Sequence, residues 1–373
     1  MNRRDFLTGA SAGVVVGTVA GYGLATDGTK VVRPSASPGM RELRLVSAWA
    51  KETPGIGPSS ERLARRITEA TAGQLGVKVY GPGEIAPAFG SFDAVSSGAA
   101  DMYFGPEYYW QAKSKAYNFF ASIPLGLTAT ELGAWIRFGG GQALWDELSA
   151  GFNIKPLLAG NSGAQMGGWY TKELRSVEDL RGLRIRVQGI GGEVMRRLGA
   201  AVVALPGSEI LGALEAGSID AAEWIGPWGD LAFGFYKVAK NYYYPGFHEP
   251  CAAVTLGINK KLWDELAPEQ QRLIEMCTAA ENDVLHAEFV ANNAEALETL
   301  VGQHQVQLRR FPDSMLSSLV KVSDEVLAEV AGTDDITKRI YESYMAFRRK
   351  AAAWTQVSDR AYLDLRGTIL PTG

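Results

Sequence analysis

The order of apolar and polar positions divides the chain into strands and helices in turn. Residues 43–50 (LRLVSAWA) read as a strand. A loop, TPGIGPSS, follows, after which Ser59 or Ser60 can cap the amphipathic helix ERLARRITEA. Residues 75–85 (LGVKVYGPGEI) give a second strand and a turn. Residues 92–105 (FDAVSSGAADMYFG) give a helix that ends at Ser-Gly and runs into a strand. The same arrangement returns at 209–227 (EILGALEAGSIDAAEWIGP), where a helix ends near Gly217 and SIDAAEWI enters the next strand. Two copies of helix, small-residue break, aspartate and strand suggest two similar lobes, and the alternation itself is that of an α/β fold. Residues 155–171 and 183–188 read as further strands, and 190–200 as a helix opened by glycines.

The pattern changes near the C-terminus. From Asp334 to Arg366 there is neither glycine nor proline, so one helix of roughly 50 Å is expected. Ile340, Phe347, Trp354 and Ala361 recur every seven residues, beside Tyr344, Ala351, Ser358 and Leu365, giving a narrow seam. Such a helix lies across both lobes of its own subunit or seeks a partner; the pattern leaves both readings open.

At 373 residues the chain is long for one core, which agrees with two lobes. A net charge of −4 argues against a nucleic-acid footprint. Beyond the N-terminus no stretch approaches the ~18 apolar residues of a membrane span. The first 25 residues, MNRRDFLTGASAGVVVGTVAGYGLA, have the form of a twin-arginine export signal, and 26–40 read as a polar linker. No cysteine follows the signal to take a lipid anchor, so a periplasmic protein is expected. Cys251 and Cys277, the only two cysteines, make neither a disulfide framework nor a zinc site and are expected to be free thiols.

Catalytic chemistry is sparsely provided. Three histidines occur, and His286 and His304 fall in a polar helical stretch where solvation is expected. There is no nucleophile elbow, no Gly-Lys-Ser/Thr after the glycines near 190, and no complete dinucleotide fingerprint. Binding candidates are better. Arg186 ends the strand LRIRVQ at a glycine-rich loop, where open α/β sheets bind ligands, and its planar fork suits a carboxylate. Gln165 is an amide in the small-residue stretch NSGAQMGGW. Glu223 stands between Ala-Ala and Trp-Ile-Gly-Pro, as a surface turn or as a ligand group. Trp49, the EYYWQAK segment that contains Tyr109, and YYYPGFHEP supply aromatics for core packing or for a pocket wall.

Four segments, GNSGAQMGGWYTKEL, SVEDLRGLRIRVQGIGGEVMRRLGA, LEAGSIDAAEWIGPWGDLAFGFYKVAKNYYYPGFHEP and WDELAPEQQRLIE, together resemble solute-binding proteins of TRAP (tripartite ATP-independent periplasmic) transporters. The likeness runs from about residue 43 onward and is nearest to the branch that binds 2-oxo acids such as pyruvate. It implies a two-lobe periplasmic binding protein fold with the ligand cleft between the lobes. Lobe 1 would be 41–159 with about 250–290, and lobe 2 would be 160–249 with about 291–330. Residues 331–373 would form a long helix that makes a homodimer. The resemblance also implies that Arg186 takes the ligand carboxylate and that a cation is held by Gln165, Glu223, the main-chain carbonyl of Trp224 and, at the pocket edge, Glu249. Sodium is the implied ion, with calcium the alternative. Tyr109 would line the ligand. The implied role is delivery of a small 2-oxo monocarboxylate to TRAP membrane subunits without chemistry. An exported oxidoreductase is the rival reading, since the twin-arginine route often carries cofactor-loaded enzymes.

Overall fold

The computed structural model describes residues 39–369, so the export signal and nearly all of the linker lie outside the described residues. One sheet holds β1 (Arg41–Ser47), β2 (Leu75–Tyr80), β3 (Met102–Gly105), β4 (Ile154–Asn161) and, from much later in the chain, β10 (Ala253–Asn259). The other holds β5 (Gly168–Tyr170), β6 (Arg184–Arg186), β7 (Ala201–Val203), β8 (Ala221–Ala222), β9 (Asn241–Tyr244) and β11 (Gln307–Arg310). Their orders are β2-β1-β3-β10-β4 and β11-β9-β5-β8-β6-β7.

The two sheets share one scheme. In the first, β1 pairs in parallel with β2 and β3, and β10 closes antiparallel on β3. In the second, β6 pairs in parallel with β7 and β8, and β5 closes antiparallel on β8. Parallel neighbours need a crossover, supplied by the helices Ile56–Ala70 and Gly189–Arg197. The repeated aspartate has a structural reason. Asp101, just before β3, accepts from the backbone N–H (2.7 Å) and Nε (2.9 Å) of Arg44 in β1. Asp220, just before β8, does the same for Arg184 in β6, at 3.1 and 2.9 Å. Each aspartate N–H returns to the carbonyl of its arginine. One clamp thus fixes the register of the central parallel pair in both halves.

The chain passes between the sheets at 162–167, at 245–252, and through the helix Pro268–Gly302, whose 35 residues reach about 52 Å. This helix packs on β4 and on the helices Ile56–Ala70 and Pro227–Phe233, so it touches both halves. Its buried Glu281 accepts from Ser59 Oγ at 2.7 Å and pairs with Arg62 at 2.7 Å and Arg66 at 3.3 Å.

Two expectations change. The first helix starts at Ile56, so Ser59 and Ser60 are buried inside it and cap nothing; Gly55 precedes it at φ 72°, a left-handed value that glycine adopts freely. The C-terminal helix is present but divides at Ser358 into Asp335–Val357 and Asp359–Ile369. Its seam also divides. Ile340 and Tyr344 are buried against their own subunit, where the Tyr344 hydroxyl accepts from the N–H of Leu127 at 2.7 Å, whereas Trp354 is 70 % exposed. Cys251 and Cys277 are free and buried.

Candidate binding site

The shared scheme exposes an anomaly. By register from the two clamps, Arg186 occupies in β6 the place of Val46 in β1, and Glu223 after β8 occupies the place of Phe104 in β3. Val46 and Phe104 are fully buried core residues. The fold therefore accepts apolar side chains at both places, and the second half instead buries an arginine at 1 % exposure and a glutamate at 2 %. Burying two charges is expensive even when they pair, so stability alone is a poor reason for them.

The arginine is held firmly. Its Nε donates to the carbonyl of Leu205 at 3.1 Å, and its Nη1 to the carbonyl and Oε2 of Glu223 at 2.5 and 3.2 Å. The guanidinium lies 5.2 Å from the ring centre of Trp224. Among the described residues nothing accepts a hydrogen bond from Nη2. Glu223 is fixed by its N–H on the Arg186 carbonyl at 3.0 Å, yet its buried Oε1 has no hydrogen-bond partner among the described residues.

The two crossings complete the ring. Gln165, in the first, donates its Nε2 to Ser162 Oγ at 3.0 Å, and its buried Oε1 has no hydrogen-bond partner among the described residues. The Gln165 N–H donates to the carbonyl of Glu249, in the second crossing, at 3.2 Å. Glu249 is itself buried, with Oε2 accepting from the Tyr108 hydroxyl at 3.4 Å. Burial and the nearby Glu223 push its carboxyl well above the usual range, against the opposing pull of Arg186. Behind the loop that carries Glu223 lies Asp230, 1 % exposed, whose Oδ2 accepts from Trp169 Nε1 at 2.9 Å and Tyr242 OH at 2.6 Å. Its carboxyl is raised to about 7, chiefly by burial.

The first half contributes aromatics. Tyr109 packs edge-on to Trp49 and Phe89, and burial pushes its phenol up to about 12. Tyr109, Trp49, Gln165, Arg186 and Trp224 line a small cavity of about 20 Å³. A wider cleft of about 660 Å³ opens beside it between residues 48–54 and 82–88 on one side and 206–209 on the other. Trp49 and Trp224 line both spaces and stand between them.

All six residues singled out in the sequence, Tyr109, Gln165, Arg186, Glu223, Trp224 and Glu249, thus meet in one place. Sequence reasoning missed His248. Its buried Nε2 lies 3.6 Å from Glu223 Oε1, and donor atoms of Glu223, His248 and Glu249 lie within 4.8 Å of one another. The signal was its place beside Glu249 in the FHEP turn. His286 and His304 are half-buried, not solvated: His286 faces Gly163, and His304 stacks on Tyr236 at 3.9 Å.

The arrangement fits a cation. Two buried carboxyls face a single arginine, and the orphaned oxygens of Gln165 and Glu223 are hard donors of the kind that sodium or calcium takes. A cation would relieve both the excess negative charge and the unsatisfied oxygens.

Comparison with known proteins agrees with this chemistry. The family model for bacterial extracellular solute-binding proteins, family 7, matches residues 45–334. A monocarboxylate 2-oxoacid-binding periplasmic protein of Nostoc sp. is 36 % identical over 362 residues, covering 97 % of this chain and 98 % of its own. A TRAP periplasmic solute-binding protein from Pseudoalteromonas atlantica, solved with sodium and pyruvate bound, superposes with a TM-score of 0.84 at 35 % identity, over 87 % of this chain and 99 % of its own. A TRAP solute-binding protein from Bordetella bronchiseptica, solved as a mixed-occupancy dimer with copurified calcium and picolinate, gives 0.86 at 34 %, over 88 % and 98 %.

Proposed function

The chain belongs to family 7 of the bacterial extracellular solute-binding proteins, and from that premise we propose that it binds a small, pyruvate-like 2-oxo monocarboxylate between its two lobes and hands it to TRAP membrane subunits. The observation that carries this reading is the buried Arg186–Glu223 pair, with the orphaned Oε1 atoms of Glu223 and Gln165 beside it. Arg186 offers the free Nη2 of a guanidinium already fixed through Nε and Nη1 to the ligand carboxylate, so little freedom is lost on binding. Glu223, Gln165, the carbonyl of Trp224 and Glu249 would hold the cation, sodium or calcium. When bound, the ion supplies positive charge between Glu223 and an anionic ligand. Tyr109 and Trp49 cover the site and keep water out. We take lobe 1 as 41–159 with about 250–290 and lobe 2 as 160–249 with about 291–330. The protein works in the periplasm after twin-arginine export.

Releasing the ligand by denaturing freshly purified protein, with mass spectrometry and elemental analysis of the supernatant, tests the reading. The expected result is a 2-oxo monocarboxylate with sodium or calcium. A released flavin or nicotinamide, or turnover of the acid, would favour an exported oxidoreductase instead.

The reading includes a homodimer. Trp354, Val357, Tyr362, Leu365 and Ile369 are each at least 60 % exposed on the last two helices, and the Bordetella bronchiseptica relative was solved as a dimer. Because Ile340 and Tyr344 are anchored to their own subunit, the dimerising part is the stretch beyond about residue 353. The intact protein should run as a dimer in light scattering, and a chain ending at residue 352 as a monomer of unchanged ligand affinity. A monomeric intact protein at micromolar concentration overturns the dimer.

A further inference from the structure

The loop that carries the cation ligands leaves one carbonyl free, and its peptide hydrogen bonds explain why. The Glu223 carbonyl accepts from Arg186 Nη1, the Ile225 carbonyl from the Met166 N–H at 3.3 Å, and the Gly226 carbonyl from the Asp230 N–H at 2.9 Å. Among the described residues no donor reaches the Trp224 carbonyl. That carbonyl shares a trans peptide unit with the N–H of Ile225, and in a trans peptide the C=O and N–H point in opposite directions. The Ile225 N–H donates to Oδ1 of Asp230 at 3.4 Å. Oδ2 of the same carboxylate is clamped by Trp169 in β5 and by Tyr242 in β9, whose rings stack at 4.0 Å.

We propose that Asp230 is a positioning residue for the cation site: by holding the Ile225 N–H from behind the loop, it turns the Trp224 carbonyl toward the ion. The inference rests on the proposed cation-dependent reading and extends it to a residue that touches neither ion nor acid. Three features support the assignment. Asp230 is buried, although Trp169 and Tyr242 alone would be as well served by a neutral acceptor. Its remaining oxygen is spent on the one peptide whose orientation sets the Trp224 carbonyl. The clamp also comes from two adjacent strands of the second sheet, β5 and β9, both flanked by other strands, so the aim of the carbonyl is tied to the body of that sheet.

The test is calorimetric titration of sodium and calcium at pH 8, with pyruvate as the reporting ligand, on Asp230→Asn, Asp230→Glu and Tyr242→Phe. In Asp230→Asn, an amide oxygen held by Trp169 and Tyr242 sets its NH₂ against the Ile225 N–H, and the peptide is no longer held. Cation affinity should fall roughly 10–100-fold, the usual effect of losing a residue behind a metal ligand. Pyruvate affinity should recover at saturating cation. Asp230→Glu keeps the charge but displaces the acceptor and should lose cation affinity too. Tyr242→Phe removes a bond from the same carboxylate without touching Ile225, so it should lower the melting temperature and keep cation affinity near wild type. Normal cation affinity in either Asp230 variant overturns the proposal, as does a loss in Tyr242→Phe in proportion to its melting temperature. Wild-type protein that binds pyruvate without a cation overturns the reading beneath it, a result distinct from a cation-dependent wild type with indifferent Asp230 variants.

Discussion

Replacing Arg186 with alanine should abolish measurable 2-oxo acid binding, and Arg186→Lys should not restore it. Arg186 is 1 % exposed and is the only cationic side chain hydrogen-bonded to Glu223 among the described residues. Breaking a buried pair by deleting one partner costs about 3–5 kcal/mol, which is roughly two to four decades in affinity. Here the loss is twofold, because the ligand carboxylate loses its guanidinium donor and Glu223 loses its counter-charge. Lysine keeps the charge but presents a single ammonium. It cannot serve Leu205, Glu223 and a ligand oxygen from one rigid plane. Calorimetry with pyruvate on both variants, alongside their melting temperatures, is the check. Near-normal affinity in Arg186→Lys would remove the guanidinium from ligand recognition.

The second large effect concerns the ion. Protein refolded in chelator, with potassium or choline as the only added cation, should lose roughly two decades or more of pyruvate affinity. A ligand of so few atoms gains at most about 1.5 kcal/mol from each, so tight binding depends on strong electrostatics already in place. Without the ion, the buried Glu223 and Glu249 would stand near an incoming carboxylate with Arg186 as their nearby positive charge. Restoring sodium or calcium should recover the affinity, and whichever recovers it at the lower concentration is the working ion. Glu223→Gln should weaken cation and pyruvate together. A glutamate kept only for folding would move the melting temperature and leave both affinities intact. Undiminished affinity in chelator would remove the cation from the site.

Much of this was legible before the fold. The two lobes could be read from the repeated helix–break–aspartate–strand pattern, because the aspartates clamp Arg44 and Arg184 in the same way and the same local chemistry was needed twice. Glu223 was conspicuous for the reason that makes it costly, an acid with apolar neighbours on both sides. Other features were hidden by distance. Asp230 is tied to the site through Trp169 and Tyr242 of the second sheet, which no local pattern announces, and His248 offered only its place beside Glu249. The helix Pro268–Gly302 was not read at its full length, because its buried stripe includes Thr278 and Glu281. The break at Ser358 follows no proline or glycine, and the local sequence offers no account of it.

The difference between the two halves at the Val46/Arg186 and Phe104/Glu223 places sets an order of events. Most polar groups of the site belong to the second sheet's half or to the crossings, while the first half offers mainly rings, with the Trp49 indole N–H and the Tyr108 and Tyr109 hydroxyls as its polar groups. Under the proposed reading, ion and acid are therefore taken chiefly by the second half and the crossings. The other jaw, the first half, adds rings and a few hydroxyl and indole donors, and acts mainly on how long the captured molecule stays. Association would be tuned on one side of the cleft and residence on the other, so each rate can drift over evolution without disturbing its partner.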